Sequence, residues 1–285
     1  MGIRNPNLRF LLSLGFGSGF FLAAAARAIA ENTLALNWTN NLLTISGARL
    51  PGGKLDIWYL EAFCRKGSTH RDWAKTVLPH KTILLSSDLR HLRFRTTVEP
   101  AVEVLHDVRA RTDEVEFQFE LKNQGAQPID LEWFQPACIR VERFTGLEQA
   151  NYISRSFIFT ERGPTTMDKT RRSEDALYPG GQVYVPKEIN PEDVNPRPIS
   201  PDRPVNGLIG CVSGDGTQLL ATAWDSTHEL FQGVYVCLHS DPHVGGLAAG
   251  ETRTIRGKLY LLKNEPGALL ERYRRDFPAS RRERF

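Results

Sequence analysis

The sequence predicts an all-β protein, a large antiparallel sandwich of two stacked sheets with one C-terminal helix. Three observations carry that prediction. Segment after segment alternates apolar and polar residues with period two, and several links between segments are short and polar. The strand–helix–strand alternation that a parallel sheet needs does not occur. The clearest alternation sets Val115, Phe117, Phe119 and Leu121 against Glu116, Gln118, Glu120 and Lys122, so one face belongs to a core and the other to water.

Residues 1 to 30 precede this pattern and read as a cleavable signal peptide. Arg4 and Arg9 lie in a polar start, an apolar run extends from Phe10 to Ala26, and Ala28-Ile29-Ala30 supplies the small-residue ending, with cleavage after Ala30. Gly15, Gly17 and Gly19 interrupt the run, which is shorter than the ~20 apolar residues of a spanning helix. The expected product is residues 31 to 285, exported to a periplasmic or extracellular space, with no membrane span after signal cleavage. The formal charge of +3 belongs to the leader, because Arg4, Arg9 and Arg27 leave with it and no acid does. A neutral mature chain argues against a nucleic-acid partner, since phosphate binding relies on gathered Lys and Arg. Cys64, Cys138, Cys211 and Cys237 form an even set that an oxidising compartment could bridge, yet their wide, irregular spacing fits buried thiols equally well.

Strand-like segments then follow in order: Leu34 to Trp38, Leu42 to Ser46, Leu55 to Phe63, Thr82 to Ser86, Leu92 to Val98, Val102 to Arg109, Val115 to Lys122, Ile129 to Gln135 and Cys138 to Phe144. After a gap come Leu208 to Val212, Leu219 to Trp224, Gly233 to His239 and Thr252 to Leu262. Tight polar links at Arg111 to Asp113 and at Ser213 to Gly216 imply antiparallel neighbours. So many strands exceed a small sandwich and call for two large sheets. The gap, residues 161 to 206, holds eight of the 17 prolines and a strand-like patch from Gln182 to Val185. It is expected to be an ordered excursion covering one sheet of a single domain, because apolar strands resume after it. The helix is placed after Asn264 as cap, with Pro266 in its first turn and Leu269, Leu270, Tyr273 and Phe277 as an apolar stripe packing across a sheet edge or end.

Chemistry concentrates in Gly233 to Asp241, where Tyr235, Cys237, His239 and Asp241 share one strand face opposite Val234, Val236 and Leu238. Three readings stay open. His239, Asp241 and His243 could converge on a divalent ion, His239 could exchange protons with a second titratable group, or the segment could be a polar strand end. His106 shares a face with Val102, Val104 and Val108, a placement common for a hydrogen-bonded core histidine. His228 and Glu229 sit in Trp224 to Glu229, read as a link displayed at a sheet end, where an acid and a base could meet. For ligand binding, Trp73 beside Arg71 offers a ring face for sugar C–H groups next to hydrogen-bond donors. Trp133, Gln135, Arg140 and Trp224 supply further rings and hydroxyl binders. A nucleophile elbow, a Walker loop, a His-Glu-x-x-His helix and a dinucleotide fingerprint are all missing, which lowers the weight of serine hydrolases and nucleotide enzymes. The sequence identifies no cofactor.

The strand order, the Gln135-Pro136 run, Glu229 to Gly233 and Cys237 to Asp241 resemble a group of exported bacterial proteins that look like the galactose mutarotase type of β-supersandwich. The mutarotase family's own histidine motifs do not recur, so no catalytic residue is carried over. The resemblance implies a supersandwich and a carbohydrate ligand. With the residues above, it leads to the expectation of an exported carbohydrate-active or carbohydrate-binding protein, catalytic through His239, Asp241 and Glu229 with His106 and His228, by epimerase-like or lyase-like proton transfer. The alternatives are a non-catalytic glycan-recognition or envelope protein and a metal-dependent hydrolase or lyase.

Overall fold

In a computed structural model, residues 33–278 are described except 71, 147–148 and 177–180. The leader expected at 1 to 30 lies outside the described residues. Among the described residues sixteen strands form two antiparallel sheets. The seven-stranded sheet runs β1 (Ala35–Thr39), β2 (Leu42–Ser46), β3 (Lys54–Cys64), β8 (Trp133–Arg140), β15 (Cys237–Pro242), β14 (Thr227–Gly233), β11 (Gln182–Tyr184). The nine-stranded sheet runs β10 (Gly163–Thr166), β9 (Ser156–Thr160), β12 (Ile209–Val212), β13 (Gln218–Trp224), β16 (Thr252–Lys263), β7 (Glu114–Asn123), β6 (Val102–Ala110), β5 (His91–Val98), β4 (His80–Ser87). The two-sheet antiparallel sandwich read from the alternation is therefore the fold, and no helix among the described residues is long and apolar enough to cross a membrane.

The sheets stack because each presents one apolar face. Ile45, Ile57, Tyr59, Phe134, Ile139, Leu230 and Leu238 of the first sheet share a buried cluster with Phe94, Val104, Phe119, Leu220, Trp224 and Leu259 of the second. Trp224 fits because Gly257 lies opposite it in the ladder, where a Cβ would fall 2.2 Å from the indole. A second cluster covers the far face of the nine-stranded sheet. There Leu269 and Tyr273 of the helix Pro266–Asp276, with Phe277 just after it, pack on Phe157, Phe159, Leu219, Ala221 and Tyr260. The helix thus lies on a sheet face, not at an edge or end, and Arg272 pins it to Asp113 at 2.6 Å and Glu114 at 2.7 Å. Asn264 does not cap it; its amide donates to the carbonyl of Gly216 at 2.9 Å.

The residues between 161 and 206 contribute an edge strand to each sheet, β10 and β11. Between these edges and the chain's return, Val183, Val185 and Val194 close over Phe231 of β14 on the outer side of the seven-stranded sheet. The Gly67 N–H donates to the Asp193 carboxylate and the Thr69 N–H to the Glu192 carbonyl, tying this cover to the loop after β3.

Four strand readings change. The expected strands Ile129 to Gln135 and Cys138 to Phe144 are one strand, β8, running through Pro136. Pro136 is tolerated because β3 bulges opposite it, between Tyr59 and Ala62, where the ladder has no bond to lose. β9 was hidden because all five of its residues are buried and so show no alternation. The presumed link around His228 and Glu229 is strand β14, buried along nearly its whole length. β15 begins only at Cys237, because Val234 to Val236 form its turn from β14, with Val236 at φ 55°.

Candidate functional site

β15 turns Leu238 into the inter-sheet core and therefore sends Cys237, His239 and Asp241 to the outer side of the seven-stranded sheet. Cys237 pairs with Arg140 and Leu238 with Ile139, and continuing that register sets Cys138 across from His239. β3 adds Glu61 through its bulge, where Leu60 adopts φ 60°. Leu60 and Val236, two non-glycine residues in the left-handed region, thus immediately precede Glu61 and Cys237. Such backbone costs of order 1–3 kcal/mol per residue and persists where the surroundings enforce it, often at functional sites.

The side chains converge on His239. Its Nε2 lies 3.6 Å from Cys237 Sγ and 3.9 Å from Glu61 Oε2, and its Nδ1 lies 3.8 Å from Asp241 Oδ1. Gln135 donates from Nε2 to Asp241 Oδ2 at 3.4 Å. The donor atoms of Cys138, Cys237 and His239 fall within 4.8 Å of one another. Cys237, His239 and Asp241 are buried, whereas the Glu61 side chain keeps 26% of its surface in solvent.

Burial works against an imidazolium at His239, but Asp241 and Cys237 beside it outweigh that and hold its pKa well above the usual value. The hydrogen bond from Cys138 draws the Cys237 thiol well below the usual range despite burial, with His239 and Arg140 acting in the same direction. Each of the two groups thus favours the charged form of the other. Burial raises Glu61, and it raises Asp241 to about 6 against the pull of His239. Two acids with raised pKa beside a histidine whose pKa is also raised suit proton exchange near neutral pH.

Glu61 also faces outward. It lines a concavity of about 760 Å³ together with Asn40, Asn41, Trp58 and His80. Trp58 is 47% exposed and Tyr235 67% exposed, and the Arg140 guanidinium lies 5.0 Å from the first ring centre and 5.9 Å from the second. Two open aromatic faces flanking a cation beside a carboxylate form a rim able to stack a ring of C–H groups and bond its hydroxyls.

The remaining sequence candidates lie elsewhere or act indirectly. His106 is on the inner face of the other sheet, between the Tyr59 hydroxyl at 3.0 Å and Thr96 Oγ1 at 2.8 Å, and burial lowers its pKa to about 3. Trp224 is core. His228 is buried, stacked on Trp133 at 5.3 Å and on His243 at 5.6 Å. Glu229, raised to about 8 by burial, accepts from the Asn195 amide at 2.9 Å under the 161 to 206 cover. His243 bonds Glu132 at 3.0 Å, so His239, Asp241 and His243 do not form the converging donor set; the one found runs through the two cysteines. Trp133 is buried with its indole N–H on the Asp193 carbonyl at 2.8 Å, while Trp73 keeps 37% exposure at 6.3 Å from Trp133. Arg71 lies outside the described residues. Gln135 and Arg140 join the site, the first through Asp241 and the second at the rim.

Sequence reasoning did not bring Glu61, Cys138 or Trp58 to the site, and it placed Tyr235 beside Cys237 without a role at the rim. A signal for Glu61 existed, since it is the one charge within the otherwise apolar run Ile57 to Cys64. The diagonal between Cys138 and Cys237 had none, because it depends on the register of strands about a hundred residues apart.

All four cysteines are free thiols and buried. No protein-family model matches the chain, and no curated protein does either. Among solved structures it is similar to a candidate aldose 1-epimerase from Escherichia coli K12, with 11% identity, 81% of this chain and 99% of that one covered, and a TM-score of 0.42. A galactose mutarotase-like protein from Lactobacillus casei gives 9% identity over 80% and 99% of the two chains at a TM-score of 0.41. A polysaccharide lyase gives 12% identity over 80% of this chain and 32% of its own, at 0.38. These are likenesses of overall strand arrangement to galactose mutarotase-like sandwiches, and they assign neither a reaction nor a residue.

Proposed function

We propose that this chain is an exported sugar-binding protein that carries out acid–base chemistry on its ligand at the outer face of the seven-stranded sheet. One observation carries the reading: Glu61 lines the open concavity on one side and lies 3.9 Å from the buried His239 on the other. The sugar stacks on Trp58 and Tyr235, with Arg140 binding its hydroxyls. Glu61 meets the reacting proton, and His239, oriented by Asp241, resupplies or removes it from behind. Proton removal by a positioned base is the step shared by epimerisation, which returns the proton to the same carbon from the opposite face, and elimination, which delivers it to the leaving oxygen. The apolar leader supports export to a periplasmic or extracellular space, where glycans are available ligands.

The test is a glycan and polysaccharide panel read by binding and by turnover. A sugar that binds wild type, is turned over by it, and still binds the Glu61→Gln variant without turnover is the expected result. Full turnover by Glu61→Gln would remove the acid–base role and leave a recognition surface; no sugar bound would overturn the reading.

A further inference from the structure

We propose that Cys138, Cys237 and His239 form a binding site for a zinc-class divalent cation, with Glu61 as the fourth donor on the open side. The ligand atoms are already spaced for it. Tetrahedral zinc with bonds of about 2.3 Å to sulfur and about 2.05 Å to imidazole sets those two atoms ~3.6 Å apart. Cys237 Sγ and His239 Nε2 lie 3.6 Å apart, and Cys138 Sγ falls within 4.8 Å of both. A carboxylate oxygen in the same shell would lie about 3.4 Å from that nitrogen. Glu61 Oε2, on a partly exposed side chain free to rotate, is 3.9 Å away. Two sulfurs and an imidazole suit zinc over magnesium or calcium, which prefer oxygen.

The surroundings are those of a held ligand. A metal-binding histidine commonly turns its other nitrogen to a carboxylate, which fixes the ring and is itself hydrogen-bonded. His239 Nδ1 faces Asp241 at 3.8 Å with no hydrogen-bond partner of its own, and Gln135 donates to the far oxygen of Asp241. The register also disfavours the competing fate of two close thiols. Cys237 stands opposite Arg140, so Cys138 is its diagonal neighbour. Diagonal residues across antiparallel strands lie roughly 7–8 Å apart at Cα, beyond the ~7 Å that an unforced disulfide accepts.

Binding the cation releases to solvent the protons that the two thiols and the ligating imidazole nitrogen carry and leaves both cysteines as thiolates, with no change in oxidation state. It also occupies His239 Nε2, so the loaded protein is the form in which the proton transfer proposed above is blocked. That consequence rests on the sugar reading; the site does not.

The experiment uses reduced, chelator-treated full-length protein titrated with Zn²⁺ and, in parallel, with Co²⁺, without sugar. One equivalent of zinc is expected, and the cobalt form should show intense visible bands of a tetrahedral ion with a thiolate-to-cobalt charge-transfer band. Cys138→Ser or Cys237→Ser should weaken zinc on the order of 100-fold and shrink that band, and Asp241→Asn should weaken it about 10-fold. Cys64→Ser and Cys211→Ser, buried thiols outside the cluster, serve as controls for folding and should bind normally. A wild-type cobalt spectrum without the thiolate band, sub-stoichiometric zinc, or a Cys138–Cys237 disulfide mapped in protein taken from an oxidising medium would overturn the site. Sugar binding by the chelator-treated protein is scored separately, so failure of either proposal is visible without the other.

Discussion

Two buried histidines lie on either side of the seven-stranded sheet, and their surroundings differ in kind. His106, in the core between the sheets, has both ring nitrogens in hydrogen bonds and its ring stacked between Phe94 at 5.3 Å and Phe119 at 5.1 Å. His239, outside that core, has Nδ1 without a hydrogen bond and Nε2 facing a thiol and a carboxylate. The first is a solved packing problem, and a polar group so satisfied costs the fold little. The second keeps unsatisfied polar atoms in company with Asp241 Oδ1 and Glu229 Oε1, an expense to stability that a fold tolerates where chemistry requires it.

The largest expected effect is on the inner side. Phe119→Ala removes a ring that touches His106, Phe134 and Trp224 and should cost about 3–5 kcal/mol in urea unfolding. His106→Leu should cost about 1–3 kcal/mol, because it leaves the buried Tyr59 hydroxyl unpaired. If it costs nothing, the satisfied-core description of His106 is broken.

The same residue predicts a pH dependence. Its folded pKa of about 3 lies below the 6.5 of a free imidazole, so the unfolded chain binds the proton that the folded chain refuses. His106 therefore contributes full stability above pH 6.5 and loses it as pH falls towards 3, by about 1.4 kcal/mol per unit. Denaturant midpoints between pH 7 and 4 should therefore differ in pH slope between wild type and His106→Leu by about that amount, the variant losing less stability as pH falls. An unchanged slope would mean that His106 is already charged when folded. His228, also lowered to about 3, acts in the same direction, while Glu229 and Asp241, raised to about 8 and about 6, act against it, so the difference between the two proteins isolates His106.

The outer rim should behave in the opposite way. Trp58→Ala, at an exposed position, should change stability by less than about 0.5 kcal/mol. Loss of the ring face should nevertheless weaken a stacked sugar by about 10-fold, as seen by calorimetry. A large stability loss without an effect on sugar would make Trp58 a packing residue and remove the rim.

The division between these two faces also marks what the sequence made legible. Alternation exposed β5, β6 and β7 cleanly because each has one wet face and one buried face. It failed at β9, β14 and the Pro136 crossing, where both faces are covered and hydrophobicity has no period to show. The site was half visible for the same reason. Cys237, His239 and Asp241 stand at every second position of one strand, a local pattern. Glu61 and Cys138 reach them only through a bulge in β3 and the register between β8 and β15, both long-range facts. His228 and Glu229, read as a displayed link, are instead held under residues 193 to 195, a contact no local pattern encodes.

The most direct test of the contrast is histidine-selective NMR during titration with a sugar that binds in the glycan panel. The Cε1 resonance of His239 should move with saturation, and Glu61→Gln should reduce that movement, while His106 stays at its neutral-ring position throughout. Movement of His106 with His239 unchanged, or sugar binding that moves neither, would contradict the assignment of the outer face as the functional site.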